Sequence, residues 1–387
     1  MHTIERQTDV FSGNSDLEIL HSFKNFPVFM GCVETASEKD VKADMTWGIS
    51  KSSGFIQLTN LIPLDLLYQA QHASAVGGIW HNHAKEFANF ISMYKPTSVL
   101  EVGGSHGKLS KEYRLLRSCE WTILEPNPAP TEGVDVDFIK GFFDSDFKFH
   151  GNIDTFIHSH VFEHIYSPIE FVSNISNLLD EGNKLIFSVP NQEKWLLKKY
   201  TNCIDFEHTI FLTEPYIENL LSQYGFRLLQ KEYYLKDHSI FYAYVKDRNS
   251  SIIDLPKNLY LRNKKTFYDF INYYKNTLIP SLNSQVNEIE GKIFLFGASG
   301  FSQYLIEFGL NIDNVVYLLD NDKKKHNKRL YGTNLIVKSP SILKEIDKPI
   351  VILNIGVYDS EIKNDIITNI NKNTIFIEMN NDNNINQ

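Results

Sequence analysis

From Trp80 onward the chain alternates between two hydrophobic rhythms. His83, Phe87 and Phe90 fall at helical spacing on a stretch reaching Met93, and the continuous apolar run Ser98–Val102 follows. The same alternation predicts a helix over 109–116, strands over 121–124 and 155–158, a helix over 169–179 and a buried strand over 184–189. Short apolar strands separated by helices imply an α/β architecture, a parallel sheet covered on both faces. A helix over 214–224 is closed by Gly225 in the C′ position, and two strand-like runs, 226–234 and 239–245, meet at a turn around Asp237. The sheet therefore ends in an antiparallel pair.

The flanking regions read differently. Before residue 75, short apolar runs at 26–30 and 54–58 are mixed with turn residues and show no sustained period, which marks 1–75 as a small accessory region. The central unit covers 76–247. A polar segment with Ser250, Ser251 and Pro256 then reads as a linker, followed by a long helix over 260–278 and a second α/β unit that opens with a strand over 292–296, so that 248–387 form a third region. The Asn-rich end, 380–387, reads as a frayed tail. A chain of 387 residues exceeds what one core usually supports, in keeping with this division.

Composition narrows the partners. The 42% hydrophobic and 13% aromatic content is that of a packed globular protein. A net charge of −9, with Lys323–Lys325 as the sole basic run, argues against a nucleic-acid partner. The first eleven residues lack the apolar core of a secretory leader and no apolar run reaches membrane-spanning length, so the expected location is the cytoplasm, with no membrane span. Cys32, Cys119 and Cys203 are scattered and provide neither a disulfide framework nor a metal-binding pair. Nothing in the sequence fixes an oligomeric state.

Candidate chemistry begins where the strand Ser98–Val102 runs into Glu101-Val-Gly-Gly-Ser-His-Gly107. Gly103, Gly104 and Gly107 lie at a strand-to-helix turn, where glycine allows close backbone approach to a ligand, although such a turn also occurs without one. The next strand ends at Glu125, where a carboxylate can accept from both hydroxyls of a ribose. The spacing E-x-G-x-x-x-G departs from the dinucleotide pattern G-x-G-x-x-G. Glu101 would repel a pyrophosphate and attract the ammonium of a methionine moiety, which favours S-adenosylmethionine (SAM) over NAD; the alternative is a hydrogen-bonded loop carboxylate. In 137–144, Phe142 is a candidate for packing against adenine, whereas Phe138 reads as core. Two clusters, His158-Ser-His160-Val-Phe-Glu-His164 and Asp205-Phe-Glu207-His208, follow parallel strands and supply acid/base candidates at the ligand-binding edge. Each histidine can instead be a satisfied structural residue.

Taken together, Leu100-Glu-Val-Gly-Gly-Ser-His-Gly107, His160-Val-Phe-Glu-His-Ile165, Phe187-Ser-Val-Pro-Asn191, Phe206-Glu-His208, Phe296-Gly-Ala-Ser-Gly300 and Leu318-Leu-Asp-Asn-Asp322 resemble the sugar C-methyltransferases that modify nucleotide-linked keto-deoxysugars. The resemblance covers nearly the whole chain. It implies a zinc-bearing N-terminal region, a central class I SAM-dependent methyltransferase domain holding SAM with Glu101, Gly103, Gly104, Gly107, Glu125, Phe142 and His160, and a C-terminal α/β domain that helps enclose the sugar nucleotide. It further implies that His208 acts on the departing proton, supported by Glu207 and His164. Two departures stand out. Ser50-Lys-Ser-Ser53-Gly-Phe-Ile-Gln-Leu58 replaces the family's C-x-x-C-G-L-V-Q-L, and serine cannot replace a thiolate on zinc, so no metal is expected. Asp205 stands where the family tends to carry tyrosine.

The sequence thus predicts methyl transfer from SAM to a nucleotide-linked sugar, with carbon and oxygen as acceptor atoms left level. Two rival readings remain. An NAD-dependent sugar-nucleotide oxidoreductase would use Phe296-Gly-Ala-Ser-Gly300 with Asp320 and Asp322, and a non-catalytic binding module would merely keep the fold.

Overall fold

The computed structural model describes residues 3–68 and 78–378. The boundary between the accessory and central regions, with His72, and the Asn-rich 380–387 lie outside the described residues. No helix among the described residues is long and apolar enough to cross a membrane.

The accessory region is built on a three-stranded antiparallel sheet of β1 (Leu17–Pro27), β2 (Lys42–Ser50) and β3 (Ile56–Leu58). Met45, Trp47 and Ile49 alternate inward along β2 and are fully buried, the period-2 pattern of a strand packed on one face. Register shifts between Ile19 and His21 and between Phe23 and Phe26 break the phase of β1, which is why no sustained period is visible in the sequence.

The central sheet comprises β4 (Ser98–Val102), β5 (Glu120–Glu125), β6 (Asp137–Lys140), β7 (Thr155–Ser159), β8 (Lys184–Pro190), β9 (Phe226–Tyr234) and β10 (Ser239–Lys246). Their spatial order is β6-β5-β4-β7-β8-β10-β9. The strands from β6 to β8 are parallel, and β10 runs antiparallel to both β8 and β9. This is the class I methyltransferase fold, with the antiparallel finish that the sequence predicts; β6 alone was not foreseen. Consecutive residues face opposite cores: Leu100, Phe156, Phe187 and Tyr242 enter one, while Val99, Ile157, Ile186 and Phe241 enter the other. The helices are α1 (Gly78–Ser92), α2 (Lys108–Arg114), α3 (Pro168–Leu178), α4 (Gln192–Leu197) and α5 (Glu214–Gln223).

The predicted third-region helix runs further than its pattern suggests. Helix α6 (Leu259–Tyr273) passes through a π turn at Tyr274–Leu278 into α7 (Ile279–Asn287), so Pro280 interrupts no element. A wide turn just before the proline accommodates its missing N–H. Beyond it, β11 (Ile293–Phe296), β12 (Val315–Leu319), β13 (Val337–Lys338), β14 (Ile350–Ile352) and β15 (Ile375–Ile377) form a parallel sheet in the order β13-β12-β11-β14-β15. One core unites the accessory sheet with the C-terminal region, through Phe26, Trp47, Trp195, Phe206, Phe267 and Tyr304. A buried Arg329–Asp40 pair at 2.6 Å ties the same two regions.

Ser50 and Ser53, which the resemblance sets against zinc-binding cysteines, are engaged in hydrogen bonds. Ser50 Oγ donates to Asp16 Oδ1 at 2.8 Å, and Ser53 Oγ donates to Asp9 Oδ2 at 2.7 Å, an oxygen that also accepts from Ser12 Oγ. Hydroxyl donors on carboxylates hold this knuckle, and the residues do not fit zinc. Asp9→Ala would orphan the Ser12 and Ser53 hydroxyls and the Phe11 amide that donates to Asp9 Oδ1. A loss of about 1–3 kcal/mol in urea unfolding is expected, and an unchanged midpoint would contradict it.

Candidate active site

Connections from β4 and β7 depart toward opposite sides of the sheet, which opens a crevice at the C-terminal ends of these neighbouring strands. A cavity of about 580 Å³ occupies this place, lined by Gly103, Glu125, Phe142, His160, His164 and Glu207, with Tyr68, Asn127 and Tyr166. Its size suits a cofactor-sized ligand.

The glycine turn is shaped by crowding. Gly103 adopts φ +76° and a Cβ there would lie 2.4 Å from Val161, while one on Gly104 would meet Ile123 at 2.7 Å and Glu101 at 2.9 Å. Gly107, at φ +72° ahead of α2, is pressed against Val134. Gly103 borders the cavity; Gly104 and Gly107 instead let the turn pack onto its own strand and loop.

Glu125 closes β5 at the cavity wall. Its Oε2 accepts from Ser105 N at 2.9 Å and its Oε1 from Asn127 N at 3.0 Å, which fixes the carboxylate and leaves lone pairs for a ligand's hydroxyls. Glu101 does not reach the cavity. It accepts from Trp121 Nε1 at 2.8 Å beneath Gly104, and burial, with Glu125 nearby, pushes its carboxyl up to about 7. The ammonium-binding role expected for it gives way to the hydrogen-bonded carboxylate, because Trp121 and the turn seal it from the crevice. Phe142 lines the cavity and is 42% exposed, which leaves a ring face for stacking, whereas Phe138 packs against the core as expected.

The histidine clusters separate into two groups. His158 is fully buried and stacks on Phe187 with ring centroids 4.8 Å apart; burial pushes its pKa down to about 3, so it is a neutral core residue. His160 sits in the left-handed region (φ +53°) with Nε2 3.0 Å from Ser239 Oγ and Nδ1 3.4 Å from Glu163 Oε1. His164 lies between two carboxylates, Nε2 3.8 Å from Glu163 Oε1 and Nδ1 3.9 Å from Glu207 Oε2. The ring of His208 is 4.9 Å from that of His164, and its Nδ1 is 3.3 Å from Asp205 Oδ2. Asp205, rather than Glu207, is therefore the acid beside His208. Asp205 Oδ1 also accepts from the amides of Glu207 and His208, which makes the loop its own scaffold. Burial disfavours a charged His208, but Asp205, Glu163 and Glu207 outweigh it and lift its pKa above the ordinary histidine value.

The accessory region holds these two loops together. Leu58 N donates to Thr209 O and Phe211 N donates to Ile56 O, so the chain after His208 is pinned to β3. Arg6 Nη1 donates to Thr209 O at 3.0 Å and Nη2 to Tyr166 O at 2.5 Å, bridging the segment after His208 to the one after His164. Arg6, Tyr68 and Tyr166 carry no motif and were missed for that reason. Glu163 stood inside the quoted His160–Ile165 motif without a role.

The glycine turn of the C-terminal sheet is taken up by the chain itself. Ala298 N donates to Asp320 Oδ2, Lys325 pairs with the same oxygen, and a Cβ on Gly300 would lie 3.2 Å from Met30 Sδ. Met30 thus packs against Gly300, where the turn passes into the helix Gly300–Glu307.

Residues 79–231 match the methyltransferase domain family. The match covers less than half of the chain and spans α1 through most of β9, including the whole cavity rim contributed by the central sheet. Among curated proteins no significant relative is found. Solved structures similar to this chain include the magnesium protoporphyrin IX methyltransferase from Synechocystis with bound SAH, at 15% identity and TM-score 0.34, covering 46% of this chain and 90% of that one. An O-methyltransferase family protein from Burkholderia thailandensis is 11% identical with TM-score 0.35, covering 43% of this chain and 56% of that one. At such values nothing about substrate or partner transfers from them. The methyltransferase domain is embedded between two regions that share a core with each other, and its cavity is completed by Leu64 and Tyr68 of the accessory region.

Proposed function

We propose that this protein is a SAM-dependent methyltransferase whose acceptor is a small polar molecule, a nucleotide-linked sugar by its motif resemblance, methylated either on carbon beside a ketone or on a hydroxyl oxygen. The observation that carries the reading is Glu125, a carboxylate fixed by two backbone amides at the end of β5 and facing a cavity beside Gly103. SAM, when bound, supplies an electrophilic methyl group on a sulfonium. Glu125 would accept from the ribose hydroxyls, Gly103 would let the ligand approach the backbone, and Phe142 would cover the adenine. Of the other lining residues, His164 and Glu207 would face the acceptor, with the His208 ring 4.9 Å from that of His164.

The acceptor loses one proton, from the carbon next to a ketone or from a hydroxyl, as its new bond to the methyl group forms. His208 is the candidate base, since the carboxylates around it let the ring hold the proton it takes. The walls of the cavity exclude water and fix the acceptor, which favours direct displacement. Calorimetric titration with SAM tests the cofactor half: Glu125→Ala should weaken binding by about 1.5–3 kcal/mol, the worth of charge-assisted hydrogen bonds, and equal affinity would remove the assigned site. Incubation with SAM and a panel of keto and hydroxy sugar nucleotides, read by mass spectrometry and NMR, tests the acceptor half and assigns carbon or oxygen.

A further inference from the structure

Between the cavity and the core lies a carboxylate that the reaction above does not use. The Glu163 side chain is 1% exposed, and among the described residues neither of its oxygens has a hydrogen-bond partner. A carboxyl in that state is either held neutral by a proton or balanced by a positive charge, because water is gone and no donor replaces it. Its neighbours are the imidazoles of His160 and His164, 3.4 and 3.8 Å from Oε1, with His208 against the ring of His164, and beyond them stand two more carboxylates, Asp205 against His208 and Glu207 against His164. Three carboxyl groups and three imidazoles thus converge on one small volume.

We propose that Glu163, His164 and His208 bind a divalent first-row transition-metal ion at the acceptor end of the cavity. One ligand atom from each of the three lies within 4.8 Å of the others. Ligands bound at about 2.0–2.2 Å to one ion stand roughly 3–4 Å apart, so modest side-chain rotation closes the set. The outer carboxylates sit as they do around metal-bound histidines: Glu207 faces the Nδ1 of His164 while that ring's Nε2 faces Glu163. Two nitrogens and one oxygen suit zinc, iron, cobalt or manganese better than magnesium or calcium, which prefer oxygen throughout. Of the three ligands His164 lines the cavity, which places the site at the cavity wall. An ion there would bind the acceptor's oxygen, easing loss of a hydroxyl proton or stabilising an enolate. With the ion bound, His208 is a ligand and the departing proton would pass to a cavity-lining group, Glu207 or His160, instead. This consequence rests on the methyltransferase reading; the binding itself does not. The absence of metal expected from the sequence rested on the serines of the accessory region, which are not part of this cluster.

The test is titration of the EDTA-stripped full chain with Co²⁺, followed by the visible absorption of the bound ion and by calorimetry. One Co²⁺ per chain is expected, with affinity lowered at least about 100-fold in Glu163→Gln and in His208→Ala and unchanged in His326→Ala, whose ring lies in the C-terminal region. Melting temperatures without metal identify any variant that fails to fold, and His164→Asn then stands in for it. Absence of Co²⁺ binding by the wild type, or equal binding by wild type and Glu163→Gln, overturns the site. SAM affinity measured on the same samples separates the two readings: a missing metal with SAM bound at the Glu125 site sinks only this inference, whereas loss of SAM binding with Co²⁺ retained sinks only the cofactor assignment.

Discussion

Lowering the pH from about 7 to about 4.5 is expected to remove roughly 5 kcal/mol of folding stability, before most carboxylates titrate. Three deeply buried histidines cause most of it, and His21, held down to about 4, and His238, also lowered by burial, act in the same sense. His83 is held down to about 2 by burial and by the neighbouring His160 and His238, His158 is held down to about 3 by burial and His160, and His160 is pushed well below its usual value by burial, His238 and His208. All three stay neutral in the folded protein, while the unfolded chain protonates them near the ordinary histidine value of about 6.5. Below that pH the unfolded state binds more protons, so stability present above about 6.5 is lost as pH falls, by about 1.4 kcal/mol per pH unit for each group. Glu101 works the other way: its carboxyl, raised to about 7, takes up a proton in the folded protein that the unfolded chain takes up only near about 4.3, so stability is gained as pH falls through this window and one of the three is offset. His208, with its raised pKa, is protonated in both states below about 6.5 and changes nothing there. Two net groups over about two pH units give the figure stated. Urea unfolding at a series of pH values measures the slope, and His158→Phe, placed among Phe156, Phe162, Phe171 and Phe187, should reduce it by one group. A flat stability between about pH 7 and 5 would contradict the buried, neutral assignment.

The second large effect concerns turnover. His208→Asn should slow methyl transfer by about 10²–10⁴-fold while SAM affinity stays nearly unchanged, because Glu125, Gly103 and Phe142, and not His208, make the proposed cofactor contacts. If His208 acts as the base, kcat/KM in the wild type should fall as the pH drops below its raised pKa, and the variant should lose that limb of the profile. A variant with wild-type turnover would make His208 structural and move the proton to His164 or His160. His158 is no longer a candidate, since it is sealed among aromatic rings.

Most of the central sheet could be read from the sequence, because strands buried on both faces leave uninterrupted apolar runs and helices leave a 3.6-residue period. Ser98–Val102, Thr155–Ser159 and Lys184–Pro190 show this, as do the glycine turn and the acidic end of β5. β6 escaped notice because Asp137–Lys140 is an edge strand, only half-buried, with a polar residue at each end. The accessory sheet escaped for a different reason: the register shifts of β1 scramble the alternation that would have marked it.

Residue identity along the chain determined which groups could do chemistry: glycines at a turn, an acid after the second strand, histidines after the fourth and fifth, and serines in place of thiols. Where each side chain points, and which of them meet, was decided only by packing. Glu101 and Glu125 are both acids at the ends of adjacent strands, yet Trp121 draws the first into the core while the amides of Ser105 and Asn127 hold the second at the cavity. Asp205 and Glu207 are two residues apart, yet the loop turns one toward His208 and the other toward His164. Arg6 is more than 150 residues from both carbonyls it bridges. Such pairings depend on the register of distant segments and on the shape of the space they leave, neither of which local pattern encodes.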